Sequence, residues 1–95
     1  MELHELADAV ADELSFLRFV KALTADRQDQ VEKERVSRSP SYGPGANGWE
    51  NDTIEDFLEA ATAWAEDTGF GQSQGLPNNP WRRFADFLYC GKIYE

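Results

Sequence analysis

The sequence predicts an all-α domain, a compact bundle of about four helices with two long loops, spanning residues 1–95 as one unit. Three observations point there. Apolar residues recur at helical spacing in separate segments, no segment alternates long enough for a strand, and prolines and glycines gather in two stretches between the periodic ones. Ninety-five residues suit a single core, and an apolar share of 41% with six Phe, three Trp and three Tyr supplies the surface to build it.

Leu3, Leu6, Ala7 and Val10 follow helical spacing and predict a short first helix over 2–10. Asp12 is the candidate cap of a second helix over 13–36, with Glu13 favourable in its first turn. Phe16, Phe19, Val20 and Leu23 then form one apolar stripe, widened by Leu14 and Leu17. Beyond Leu23 only Val31 and Val36 are large and apolar. The stretch 25–38 is helix-prone, supported by Asp29 and Lys33 at i, i+4, and reads as an exposed extension.

The loops are expected at 37–52 and 68–79. Asp52 or Thr53 can cap the third helix, over 53–67, with Glu55 or Asp56 three residues on. Ile54, Phe57, Leu58, Ala61, Trp64 and Ala65 keep its period, and Gly69 ends it. Asn79 followed by Pro80 opens the fourth helix, over 80–90, whose stripe is Trp81, Phe84, Ala85 and Leu88, and Gly91 is read as its left-handed terminator. Three stripes rich in aromatics need one another, since short isolated helices are marginal in water. The second, third and fourth helices are expected to close around a shared core, with the first covering an open edge. Trp64 and Trp81 are assigned to that core, and Trp49 is the aromatic expected to be partly exposed.

The formal net charge is −9, and it is unevenly placed. Residues 1–38 carry nine acids and six bases, residues 39–79 seven acids and no base, and residues 80–95 two acids and three bases. The central block disfavours a phosphate backbone and an anionic membrane surface, and permits a basic protein partner. Plain solubility is the alternative reading of the same charge. Nothing in the sequence fixes the oligomeric state.

Cys90 is the single cysteine and His4 the single histidine. An internal disulfide, a cysteine zinc site, a histidine-based triad and a multi-histidine metal site are therefore unavailable within this chain, and no cofactor is expected. Cys90 reads as a small core residue. A single cysteine, with no internal disulfide, points to a cytoplasmic location. The start, Met1-Glu2-Leu3-His4-Glu5, has neither a basic segment nor a long apolar run, so a signal peptide is not expected.

Gly43-Pro44-Gly45-Ala46-Asn47-Gly48 matches the letters G-x-G-x-x-G, but a dinucleotide fingerprint needs a strand before it and a helix directly after it. Here a polar helix-prone segment precedes, and Glu50 and Asp52 follow, so the stretch reads as a turn delivering Trp49 to the core. On or near the third helix, Glu55, Asp56, Glu59, Glu66 and Asp67 are the candidate partner-binding residues for basic groups. Arg82 and Arg83 oppose the dipole at the start of the fourth helix, which suggests pairing with the acids of the third. Tyr42, Trp49, Glu50, Asn51 and Arg82 are the candidate lining of a pocket where the two loops meet.

Gly48-Trp49-Glu50-Asn51, Phe57-Leu58-Glu59-Ala60, Ala63-Trp64, Trp81-Arg82-Arg83-Phe84-Ala85 and Gly91-Lys92-Ile93-Tyr94-Glu95 carry a further signal, which Phe16 and Phe19 fit. With them the chain resembles a small bacterial domain family of unknown function over nearly its whole length. The resemblance implies no activity, cofactor or catalytic residue. Two expectations follow for its segments: Glu50 and Asn51 satisfy backbone amides at the turn, and Tyr94 folds back past Gly91 onto the core. The reading best supported is a non-enzymatic protein-binding module, an adaptor or an immunity-type binder of a basic partner. Its alternative is a small-ligand or minor enzymatic role in the pocket between the loops.

Overall fold

A computed structural model of the chain describes residues 1–38 and 44–94. Four α-helices, α1 (Leu3–Asp8), α2 (Glu13–Val36), α3 (Ile54–Thr68) and α4 (Pro80–Ile93), account for most of it, with one short 3-10 turn at Gln72–Gln74. Strands are absent among the described residues.

The helix starts follow local chemistry. The Asp12 carboxylate accepts from the Ser15 N–H at 2.9 Å, and the Ser15 hydroxyl accepts in return from the Asp12 N–H at 3.1 Å, a reciprocal cap for α2. At α3 the cap is Thr53, whose Oγ1 accepts from the Asp56 N–H, while Asn79 accepts from the N–H groups of Trp81 and Arg82 ahead of α4. Gly69 ends α3 in the left-handed region at φ 61°, as expected of a helix-stopping glycine.

Gly91 departs from its expectation. Helix α4 runs through it to Ile93, and its backbone is not left-handed. The glycine serves close approach instead: a Cβ there would lie 2.8–3.0 Å from the ring of Phe57, so α4 can pass α3 closely only without a side chain.

Helix α4 is the centre of the arrangement. It packs on α1, α2 and α3, and α1 lies across both α2 and α4, covering their edge. Phe16 meets Trp81 and Phe84 near the starts of α2 and α4, while Asp26 meets Lys92 further along both, so these two helices run in the same sense. Helices α2 and α3 do not close on each other; no Cα of one lies within 8 Å of the other. The expected three-way closure is therefore two pairings on a shared helix, with a cleft left between the outer two.

The core joins Ala7, Val10, Phe19, Leu23, Trp49 and Ala85, with Phe16, Val20, Phe57 and Leu88 packed against it. Trp64 is buried beneath Phe70, which stacks on Phe87 and so extends the aromatic packing to Phe84. The reading of the turn as delivering Trp49 to the core holds, its partial exposure does not, and Trp81 is the tryptophan that leaves the core. Trp49 is only 6% exposed, because the loop before α3 turns inward, whereas Trp81 lies at the surface with its ring against that of Phe16.

Candidate functional site

The loop before α3 is fastened to α2 by polar groups that the apolar pattern does not reveal. Its turn closes with Gly48 N–H donating to the Gly45 carbonyl at 2.9 Å, and Gly48 is left-handed at φ 83°. Beneath the turn Gln30 is 2% exposed. Its Oε1 accepts from the N–H groups of Asn47 at 3.0 Å and Trp49 at 3.3 Å. A Cβ on Gly45 would fall 2.3–2.4 Å from the Gln30 amide, so the second glycine of the G-x-G-x-x-G letters is needed for packing on a glutamine. Asn47 completes the attachment by donating to the Asp26 carbonyl and the Asp29 carboxylate, and by accepting from Lys33. Its bond and the Lys33 ammonium hold the Asp29 carboxyl below the usual carboxylate range.

The turn delivers Trp49 to a half-buried charge pair. The indole N–H and the Lys92 ammonium both donate to Oδ2 of Asp26, each at 2.8 Å, and Lys92 is 7% exposed. Lys92 also lies 5.6 Å from the centre of the Trp49 ring, and the Arg27 guanidinium lies 5.5 Å from it, both within cation–π range. Next along the chain the Glu50 N–H donates to the Lys92 carbonyl, and the Asn51 amide donates to the carbonyls of Gly91 at 3.0 Å and Tyr94 at 2.9 Å. The Gly-Trp-Glu-Asn turn and the Gly-Lys-Ile-Tyr segment are thus two halves of one joint. Asn51 departs from its expectation: it bonds the carbonyls at the end of α4 rather than amides at the turn.

The candidate pocket residues are not gathered together. Tyr42 lies outside the described residues. Trp49 and Asn51 sit at the end of α4, whereas Arg82 sits in its first turn, where it donates to the Asp8 carbonyl and carboxylate and to the Asp86 carboxylate at 2.9–3.1 Å. Arg82 therefore pairs with acids of α1 and of its own helix, not with those of α3. Burial pushes the Asp86 carboxyl up, opposed by its bond to Arg82. Arg83 donates to the carbonyls of Pro77 and Leu76. The loop after α3 is tied to this end through Arg83 and through Asn79, which donates to the Ala11 carbonyl, so the two loops fasten at opposite ends of α4.

Reactive groups are muted. Burial, and then the nearby Asp86, push the Cys90 thiol up to about 12, so it keeps its proton across the neutral range. His4 is exposed on α1, and among the described residues no group of three or more His, Cys, Asp or Glu side chains is placed to hold a metal ion. A hollow of about 540 Å³ opens beside α1, with Glu2, His4, Leu6, Asp26, Tyr89 and Lys92 in its lining. Its innermost charges, Asp26 and Lys92, are those already joined to each other.

The acids of α3 remain at the surface. Glu55, Glu59 and Glu66 fall on one row at i, i+4 and i+11, and Asp56 is exposed beside them. Asp67 is engaged: it accepts from the Tyr94 hydroxyl at 2.5 Å, which brings Tyr94 back past Gly91 and raises that phenol. Next to the row, between α2 and α3, lies a largely apolar cleft of about 460 Å³. Leu23, Trp49 and Phe57 form its interior, with the Trp49 and Phe57 rings stacked 6.0 Å apart, and Ile54, Leu58 and Arg27 form its edges. Ile54 is 77% exposed and Leu58 51%. Leu58 also borders a shallower hollow lined by Glu59, Thr62 and Glu66, so apolar cleft and acidic row are continuous through one side chain.

Sequence reasoning missed Asp26, Gln30 and Lys92, and it missed the cleft. A signal for two of them was present. Phe19, Leu23, Asp26 and Gln30 keep the positions i, i+4, i+7 and i+11, so the buried stripe of α2 continues past Leu23 with polar residues in place of apolar ones.

Fold and site together define a small all-α domain with a fastened loop, an open apolar cleft and an acidic helix beside it. The chain belongs to the family of unknown function DUF7660, whose model matches residues 13–95. No curated protein and no solved structure matches it. Among the described residues no helix is long and apolar enough to cross a membrane.

Proposed function

We propose that the protein is a non-enzymatic protein-binding module, an adaptor or neutralising binder whose partner is basic. The observation that carries this reading is the exposed face of α3, where Ile54 and Leu58 stand in solvent beside Glu55, Glu59 and Glu66. Scattered apolar residues at a surface need no explanation. These two border a preformed cleft, and the stretch 39–79 that contains them carries seven acids and no base. Apolar area supplies affinity in such an interface, while the charge selects the partner and speeds its encounter. The same charge works against nucleic acid and anionic membrane.

The test is affinity capture from the native host with the wild-type chain and with a Glu55→Lys/Glu59→Lys/Glu66→Lys variant. All three positions are exposed, so the fold is expected to be kept. The wild type is expected to retain a basic protein that is released as salt rises and is lost with the variant. Capture of the same set by both proteins would overturn the reading.

A further inference from the structure

We infer that the cleft between α2 and α3 receives an amphipathic, basic segment of the partner, with apolar side chains entering against Leu23, Trp49 and Phe57 and basic groups lying over Glu59 and Glu66. The inference rests on the reading given under Proposed function and assigns it a place and a ligand chemistry. Leu58 fixes the geometry, because it borders both the apolar cleft and the acidic hollow. A segment that fills the cleft and crosses Leu58 therefore has its flank beside the glutamates. An amphipathic helix has that division of faces, and apolar anchors at helical spacing in a groove are an established mode of peptide recognition.

Charge decides between occupants. A second copy of this chain seated symmetrically on the same face would bring two acidic rows together on molecules that each carry a net charge of −9. An acidic peptide would meet the same repulsion. Arg27, the basic residue lining the cleft, is engaged, since its guanidinium donates to the Asp52 carbonyl at 3.0 Å and lies over Trp49. The cleft is also held open from below. Trp49 is fixed by Asp26 and Lys92, and the ring of Phe57 lies against Gly91, so a ligand meets a preformed floor.

The experiment is an NMR titration of the ¹⁵N-labelled full chain with a designed helical peptide of leucine and lysine. Two control peptides of the same length carry serine in place of leucine, and glutamate in place of lysine. The Leu/Lys peptide is expected to bind at least about tenfold more tightly than either control. Its shifts are expected at the Trp49 indole N–H and at the amides of Leu23, Thr24, Phe57 and Leu58. An Ile54→Ser/Leu58→Ser variant changes only exposed side chains, and it is expected to lose about tenfold in affinity with its spectrum otherwise intact.

Equal binding of the Leu/Lys and Ser/Lys peptides, or shifts confined to the amides of the acidic row, would overturn the cleft and leave the proposed function standing. Failure of that function is read separately, in a capture pattern indifferent to charge reversal. Tight binding of the Leu/Glu peptide would overturn the inference, as would a wild-type dimer that the Ile54→Ser/Leu58→Ser variant dissociates.

Discussion

Removing the Asp26 carboxylate is expected to cost more than removing the lysine it binds, and the asymmetry follows from burial. The Lys92 side chain is 9% exposed and that of Asp26 is 26%. In Asp26→Ala the ammonium stays in a poorly hydrated site beside the Trp49 ring without its carboxylate, and the indole N–H loses its acceptor. Breaking one side of a buried pair costs about 3–5 kcal/mol; partial access of water at Asp26 places this case near the lower end, about 3 kcal/mol. For a domain of this size that lowers Tm by about 12–24 °C. In Lys92→Met the apolar stem is kept, and the partly hydrated carboxylate still accepts from the indole, so the loss is that of a partly exposed ion pair, about 1 kcal/mol. The double variant Asp26→Ala/Lys92→Met has no buried charge and only an unsatisfied indole, worth about 2 kcal/mol. Urea unfolding followed by circular dichroism at pH 7 measures all four proteins. The double variant should be more stable than Asp26→Ala alone. Asp26→Ala within about 1 kcal/mol of wild type, or further destabilisation when Lys92→Met is added, would refute the reasoning.

Other outcomes follow from the same contacts. Gln30→Leu leaves the N–H groups of Asn47 and Trp49 without their acceptor and should cost about 2–3 kcal/mol, with faster hydrogen exchange at those two amides. Gly91→Ala gains about 1 kcal/mol of helix propensity but sets a Cβ against the Phe57 ring, which costs about 1–3 kcal/mol, so thermal unfolding should show a net loss of up to about 2 kcal/mol. Gly69→Ala keeps a left-handed backbone that alanine resists and should lose about 1–2 kcal/mol in urea unfolding. Cys90 should react with a maleimide far more slowly in the native protein than in urea at pH 8. Its folded pKa is raised from 9.0 to about 12, so the stability it contributes is present below pH 9 and falls as the pH rises toward 12. Replacing it in Cys90→Ala should flatten that part of the stability profile.

Helix positions were legible because their signals are local. Asp12, Thr53 and Asn79 cap where their side chains can reach the first-turn amides, and Gly69 stops α3 by its own backbone freedom. Gly91 shows where local reading ends. The same residue type, at the same apparent position after a stripe, is needed because another helix passes it, and no neighbour in sequence reports Phe57. The joint between Trp49, Asp26 and Lys92 is illegible for the same reason, since its members lie 23 and 66 residues apart. Trp81 and Phe84 follow a good helical stripe and are nonetheless at the surface, because a period states which side of α4 is apolar and not how far along that side its neighbours extend.

The fastened loop and the cleft are parts of one arrangement. Gln30 and Asp26 hold the loop against α2, Lys92 and Asn51 join it to the end of α4, and Trp49 thereby becomes the fixed floor between α2 and α3. Polar residues that would suggest chemistry in the bare sequence act here as attachment points. What these attachments leave exposed is the surface above them, with Ile54 and Leu58 at its edge.

The most direct measurement of that assignment is photo-crosslinking in the native host, with benzoylphenylalanine in place of Ile54 or, as the comparison, in place of the equally exposed Val36 at the far end of α2. The expected result is a crosslink from position 54 to a basic protein, through a lysine- or arginine-rich amphipathic segment, with little or none from position 36. Crosslinking to one partner from position 36 and none from position 54 would contradict it.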